Sequence, residues 1–508
     1  MRVSSKTLAA YAVLLFGPSK ELNAITSNLN LRQVKSTIVI LFLAVLFLMK
    51  SYDFASLRLR PELLANLESL DFDSMTAIQT QSLPLILKGL DVIAQGQTGS
   101  GKTAAFGLGL LNSLDPTLFK VQSLVLCPTR ELAEQVSNEV RRLARTIPNI
   151  KLITLYGGTP MKSQIDSLAK GAHIVVGTPG RIEDHLTKGS LNLASMKIFI
   201  LDEADRMLDM GFQKTLDTIA ELLPSKRQTL LFSATYPQEI KSIAARITQN
   251  AELVTVAPTQ DTVRIEEALF EVENDAHRLQ ALQLLLLQEG LGQSVVFCNT
   301  RAETQSVAGK LKSAGFSAAA LHGDMEQKDR DQTLIRFSNN SINTLVATDV
   351  AARGLDIKSL DFVFNFHLPR ELDVYTHRIG RTGRAGAKGY AVSLFQKSEQ
   401  FRVDKLQAHL DRTISIKELP PIETLSQRPT RPSMSTLRVE GGKRQKLRPG
   451  DLVGALTKGD DIEGSQLGKI QVLDNWTYVA VDRLIAKSAL QKIKNGKIKG
   501  KSFRCRLI

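Results

Sequence analysis

The eight residues Gly96-Gln97-Thr98-Gly99-Ser100-Gly101-Lys102-Thr103 constrain this chain more than any other stretch. Three glycines let the backbone close around an anion, and the apolar Val92-Ile93-Ala94 ahead of them reads as the strand such a loop leaves. Backbone N–H groups at the N-terminus of the following helix favour phosphate oxygens. Lys102 then reaches the β- and γ-phosphates, and the Thr103 hydroxyl is a ligand for Mg²⁺. A loop of this kind sits at the end of a buried parallel strand, so the rest of the chain has to alternate strand and helix.

It does. Short apolar runs at residues 124–127, 174–177, 198–201 and 229–232 each end in a polar or Gly/Pro loop, and Leu132, Val136, Val140 and Leu143 form the stripe of an intervening helix. A second set follows at 295–298, 318–321, 344–347, 362–366 and 390–395. The fold class is therefore α/β, with two tandem parallel-sheet domains at residues 49–250 and 266–417 and a join at 251–265. The prolines Pro420, Pro421, Pro429 and Pro432 mark a linker over 418–433. Residues 434–508 read as βαββαβ, a small α+β domain.

Nucleotide hydrolysis also needs a carboxylate for the metal and a group to position water, both at the end of a neighbouring strand. Asp202-Glu203-Ala204-Asp205 follows the run 198–201 at that place. Asp202 is the expected Mg²⁺ ligand and Glu203 the group that activates water. Arg381 and Arg384, three residues apart in HRIGRTGRAG, are candidates for arginines that stabilise transition-state charge, an effect of about 10³ to 10⁵ in rate.

The chain has 508 residues and a net charge of +14, which points to an anionic partner. That charge is uneven: +4 lies in residues 1–48, only +1 in 49–432, and +9 in 433–508. The last 22 residues hold eight basic and no acidic side chains. Cys127, Cys298 and Cys505 are too few and too scattered for a disulfide framework, which suits a reducing cytoplasm. The apolar run at 38–49 has 12 residues, short of the roughly 18 needed to span a bilayer. Three readings of residues 1–48 stand: an extension ahead of a true start at Met49, a loosely packed appendage, or a membrane anchor.

Taken in order, these segments resemble the DEAD-box ATP-dependent RNA helicases over residues 49–417. Phe54 with Thr76 to Gln79, the glycine loop, PTREL from Pro128, Gly157-Gly158, TPGR from Thr178, DEAD from Asp202, SAT from Ser233, VVFCNT from Val295, Gln327 with Arg330, ATDVAARGLD from Ala347 and HRIGRTGR from His377 stand in family order. The resemblance implies two RecA-like domains closing on ATP and single-stranded RNA. Thr76 and Gln79 would bind the nucleotide with Phe54 packed nearby, Gly96 to Thr103 the phosphates, and Asp349 the ribose. Asp205, Ser233, Thr235 and His377 would couple the ATP and RNA sites. RNA backbone contacts would come from Thr129, Arg130, Gly158, Thr178, Arg181, Thr348 and Arg353. Ala77 stands where the family usually has proline, a change expected to cost little.

The C-terminal segment resembles the RRM-like RNA-recognition domain that some bacterial members carry. It implies docking to a 23S ribosomal RNA hairpin and a role in assembly of the large (50S) subunit. Arg438 replaces the usual first-strand aromatic, and Asp474-Asn475 replace a basic residue and glycine ahead of Trp476 and Tyr478. These departures move the expected RNA contacts from the sheet to the basic terminus, namely Lys497, Lys499, Lys501 and Arg504. A monomeric cytoplasmic enzyme using ATP and Mg²⁺ is expected. A low-turnover RNA clamp would bind RNA without hydrolysing ATP, and a DNA helicase would respond to DNA as to RNA.

Overall fold

The computed structural model describes residues 53–97, 99–256, 265–288, 292–352, 360–383, 388–459 and 461–508. The segment 1–48, most of the join after residue 256, and the side chains Thr98, Arg353 and Arg384 lie outside the described residues. Those described fall into two compact units divided at residue 257.

The first unit holds seven parallel strands, β1 (Val92–Gln95), β2 (Ser123–Leu126), β3 (Leu152–Leu155), β4 (Ile174–Gly177), β5 (Ile198–Asp202), β6 (Gln228–Ser233) and β7 (Glu252–Thr255), in the order β3-β4-β2-β5-β6-β1-β7. Strands β2, β4 and β5 are buried at every residue. This is why they read as apolar runs: alternate side chains enter two separate cores, with Val125, Ile174 and Ile200 on one face and Leu124, Val175 and Phe199 on the other.

The second unit repeats the plan with β8 (Ile265–Val272), β9 (Ser294–Cys298), β10 (Ala318–Leu321), β11 (Thr344–Thr348), β12 (Phe362–Asn365), β13 (Gly389–Gln396) and β14 (Ser415–Ile416). Its order is β10-β11-β9-β12-β13-β8-β14, again all parallel. A four-stranded antiparallel sheet follows, β15 (Met434–Val439), β16 (Leu467–Val472), β17 (Thr477–Asp482) and β18 (Cys505–Leu507), ordered β16-β17-β15-β18. Helices Pro449–Leu456 and Ala486–Asn495 bury Leu452, Leu456, Ala489 and Ile493 against Leu437, Val439, Val479 and Val481, completing the βαββαβ pattern.

Four strands, β3, β7, β8 and β14, are absent from the apolar runs read in the sequence. Residues 252–255 are not linker: they form β7, which pairs with β1. Only Val254 of this edge strand is buried, so no apolar run announces it. Strand β3 was also unforeseen, because only Ile153 and Leu155 of its four residues are buried.

The outer face of the antiparallel sheet is not open. It packs on the helix Gln327–Ser338 of the same unit and on the turn that follows it. Arg438 Nη1 donates to Gln332 Oε1 (3.3 Å), and Thr436 Oγ1 lies 2.6 Å from Ser341 Oγ and 3.3 Å from Asn339 Nδ2. Trp476 is flanked by Arg438, 4.2 Å from its ring centroid, and by Lys328 at 5.6 Å. Tyr478, paired across the sheet with Arg438, is only 2% exposed. No helix among the described residues is long and apolar enough to cross a membrane.

Candidate functional site

The glycine loop leaves β1 and ends on the helix Lys102–Ser113. Gly99 and Gly101 have φ of +88° and +93°, left-handed values that an L side chain adopts at a cost. A Cβ on Gly101 would also lie 2.5 Å from Gln79 Nε2 and 2.9 Å from Thr76 Oγ1. That closeness is functional geometry, because Gln79 Nε2 donates to the Gly101 carbonyl (3.1 Å) and Thr76 Oγ1 to the Ser100 carbonyl (2.7 Å). Gln79 Oε1 in turn accepts from the Thr76 N–H (2.9 Å). Thr76 and Gln79 therefore grip the phosphate loop directly. Ala77 is the first residue of its helix, Ala77–Leu87, a position where proline and alanine both fit. Phe54 is buried and meets Phe72 edge-on at 6.1 Å.

Lys102 is 6% exposed and its Nζ donates to the Gly96 carbonyl (2.9 Å). Asp202, at the end of β5, is 3% exposed, and its Oδ1 is buried without a hydrogen-bond partner. Burial pushes its carboxyl up to about 7, although the Lys102 charge pulls the other way. An oxygen stranded in this way suits a hard cation. No cluster of three or more metal-ligating side chains exists among the described residues, as expected where Mg²⁺ takes one carboxylate, a hydroxyl, phosphate oxygens and water.

Glu203 departs from ordinary backbone: φ is 54° and ψ is 52°, a left-handed conformation that costs a non-glycine residue about 1 to 3 kcal/mol. It follows β5 and precedes the helix Ala204–Asp209, and its Oε2 lies 3.1 Å from Arg206 Nη1, both side chains being almost fully buried. Asp205 Oδ2 accepts from the Thr235 N–H (2.9 Å), the Thr235 hydroxyl (3.0 Å) and the Ala234 N–H (3.1 Å). Burial alone would raise its pKa; the Thr235 bonds and the Lys102 charge outweigh it and hold the carboxyl below its usual range. The Asp205 N–H reaches Ser233 Oγ (3.3 Å), and the Gly96 N–H donates to the Ser233 carbonyl (3.0 Å). Glycine loop, DEAD and SAT are thus one hydrogen-bonded assembly at the C-terminal ends of β1, β5 and β6, the edge where open α/β sheets bind ligands.

The first unit also brings together its predicted RNA contacts. Thr129 caps the helix Arg130–Leu143 through its hydroxyl, which accepts from the Leu132 N–H (3.2 Å). Gly158 has φ of +82°, and a Cβ there would lie 2.1 Å from Arg130 Nη1. Thr178 precedes the helix Pro179–Thr187, which carries Arg181.

In the second unit, Thr348 ends β11 and Asp349 begins the helix Asp349–Ala352. Sequence reasoning passed over Arg378, which is 2% exposed. Its Nε and Nη2 hold both oxygens of Asp349 at 2.6 and 2.8 Å, while Nη1 donates to Asn365 Oδ1 and the His367 carbonyl. The signal was present, since Arg378 is the first arginine of HRIGRTGR. Arg381 is buried and His377 half-buried.

At the C-terminus, Lys497, Lys501 and Arg504 are exposed. Lys499 differs: its Nζ is 2.8 Å from Asp451 Oδ2 and donates to the Lys446 carbonyl (3.0 Å), so it ties the terminus to the domain.

Residues 76–243 match the DEAD/DEAH box helicase family, residues 277–386 the helicase conserved C-terminal domain, and residues 436–507 the DbpA RNA binding domain. The chain is 48% identical over 450 residues to the ATP-dependent RNA helicase DbpA of Escherichia coli, covering 89% of this chain and 98% of that protein. It is 34% identical to the protein of that name from Bacillus subtilis, with coverage of 89% and 98%. Among solved structures, Saccharomyces cerevisiae Dbp5 bound to RNA and ADP BeF3 superposes with a TM-score of 0.65 at 32% identity, covering 73% of this chain and 96% of that one. Mss116 bound to single-stranded RNA and UDP-BeF gives 0.66 at 28% identity, with coverage of 73% and 80%.

Proposed function

The chain belongs to the DEAD-box ATP-dependent RNA helicases, enzymes that hydrolyse ATP and bind RNA, and from that premise we propose that it acts on 23S ribosomal RNA during large-subunit assembly. The observation that carries this reading is the match of residues 436–507 to the DbpA RNA binding domain, on the segment that holds +9 of the net charge. A nearly neutral core of +1 gains its RNA by closing around ATP, and the charged terminus chooses which RNA is presented.

In this reading, Gln79 and Thr76 carry the adenine's presence to the glycine loop they already hold, with Phe54 packed behind them. Gln97, Thr98, Gly99, Ser100 and Gly101 offer backbone N–H groups to the phosphates, while the Gly96 N–H ties the start of the loop to Ser233. Lys102 exchanges the Gly96 carbonyl for the β- and γ-phosphates. Asp202 and the Thr103 hydroxyl would hold Mg²⁺, and the bound ion would neutralise charge on the phosphate oxygens. Glu203, fixed by its left-handed backbone and by Arg206, orients a water and takes its proton. Arg381 and Arg384 bring positive charge from the second domain to the transition state, and Asp349 meets the ribose while Arg378 holds both its oxygens in place. Asp205, through Ser233 and Thr235, passes the state of the phosphates to the RNA side, with His377 answering from the second domain.

Thr129, Arg130, Gly158, Thr178, Arg181, Thr348 and Arg353 grip the RNA backbone, which bends one strand without reading its bases. Base stacking on the antiparallel sheet has no place in this scheme, because Arg438 and Tyr478 are buried against the helix Gln327–Ser338. Strand separation tests the reading. A short duplex joined to a 23S hairpin should be opened in the presence of ATP and Mg²⁺, and the same duplex without the hairpin at least about tenfold more slowly. Equal rates on both would remove the ribosomal assignment and leave a general RNA helicase.

A further inference from the structure

Gln164 belongs to none of the recognised motifs, yet it sits where two of them meet. It lies on the helix Met161–Ala169 and is 6% exposed. Its Nε2 donates to the Tyr156 carbonyl (3.0 Å) and to Thr159 Oγ1 (2.5 Å). Its Oε1 accepts from Arg181 Nη1 (2.7 Å) and from His185 Nε2 (3.0 Å). An amide has two donor and two acceptor positions, and all four are used. The same Arg181 nitrogen donates to the Thr159 carbonyl (3.1 Å), which closes a ring between the 156–159 turn and the helix Pro179–Thr187.

His185 completes the arrangement. It is fully buried, and burial first, then the Arg181 charge, lowers its pKa. Its ring is therefore neutral near pH 7, and the hydrogen belongs on Nε2, because an amide oxygen can only accept. Nδ1 lies 2.8 Å from Ser190 Oγ, whose single hydrogen is shared between it and the His185 carbonyl at 3.1 Å. The ring thus holds the amide in one orientation: turned over, Gln164 would point NH₂ groups at the Arg181 guanidinium and at the His185 N–H.

We infer that Gln164 is a positioning residue for RNA binding: its amide sets the distance and orientation between the Gly158 turn and Arg181, so the two grip the strand as one preformed unit. The inference rests on the reading of Gly158 and Arg181 as RNA contacts. It has a physical basis in preorganisation, since a guanidinium already fixed by a second acceptor loses less freedom on meeting a phosphate. Without Gln164, Arg181 keeps the Thr159 carbonyl and Asp184, whose Oδ2 is 3.5 Å from Nε, and can swing toward that carboxylate.

A double-mutant cycle on the full chain tests this. Affinity for a single-stranded RNA oligonucleotide would be measured with a non-hydrolysable ATP analogue for the parent, Gln164→Met, Arg181→Ala and the double variant. Each single change should weaken binding by about tenfold, and the double should be no more than about twofold weaker than Arg181→Ala, because the two act as one unit. Both singles should also flatten the log affinity against log salt slope by about 0.7, the value for one lost phosphate contact on a single strand. Losses that multiply in the double variant overturn the inference. Arg181→Lys, which keeps the charge and does not disturb the core, should bind almost as weakly as Arg181→Ala, because an ammonium cannot reproduce the guanidinium fork. Parent-like binding by Arg181→Lys also overturns it. An Arg181→Ala variant that binds RNA as the parent does is the separate failure, which removes the RNA reading of Arg181 and the inference with it.

Discussion

Changing Glu203 to glutamine is expected to slow RNA-stimulated ATP turnover by about 10² to 10⁴, the usual worth of a positioned general base, with ATP and RNA affinities within about threefold of the parent. The amide keeps the shape of the side chain and the left-handed backbone, but it cannot take a proton from water. One side effect follows from the geometry. Arg206 is 3% exposed and 3.1 Å from the Glu203 carboxylate, so the substitution leaves a buried guanidinium without its counter-charge. The variant should therefore melt at a lower temperature than the parent when free, and recover part of the difference with bound nucleotide. Initial-rate ATPase assays beside thermal unfolding separate the two effects. Turnover at the parental rate would remove Glu203 from the chemistry, and negligible turnover by parent and variant alike would restore the reading of the chain as a clamp.

The second large effect is expected at the C-terminus. Replacing Lys497, Lys501 and Arg504 together with glutamine should weaken binding to a 23S hairpin by about 10² at moderate salt and flatten its salt slope by about 2 to 3. These three side chains are exposed and no ion pair holds them among the described residues, so the domain should fold unchanged. Lys499 is left out deliberately: its bonds to Asp451 and the Lys446 carbonyl make it part of the fold. Equilibrium titrations at several salt concentrations decide the matter. An unchanged slope would place the hairpin elsewhere on the domain.

What could be read in the sequence follows from what each residue touches. Strands β2, β4 and β5 are sandwiched between helices, so burial on both faces wrote them as plain apolar runs. Edge strands β3 and β7 bury only one or two residues each, which leaves no such trace. The candidate site was legible where chemistry fixes both residue type and spacing, as in Lys102, Asp202 and Glu203. Gln164 and Arg378 act by holding other side chains, across 17 and 29 residues of sequence, and their partners are set only by the fold. The packing of Arg438 and Trp476 on a helix more than 100 residues earlier was hidden for the same reason. The missing first-strand aromatic nevertheless pointed away from base stacking on that face, the face that packs on the helix Gln327–Ser338. The left-handed backbone of Glu203 had no sequence signal at all, since glutamate is an ordinary residue in an unusual conformation.

In the proposed scheme a nearly neutral motor core is addressed by a basic terminus. ATP turnover by the intact chain should be measured against a panel of RNAs matched in length: 23S fragments, 16S fragments and unrelated sequences. One 23S hairpin should stimulate turnover at least about tenfold more strongly than the rest at physiological salt. Equal stimulation by every RNA in the panel would contradict that scheme.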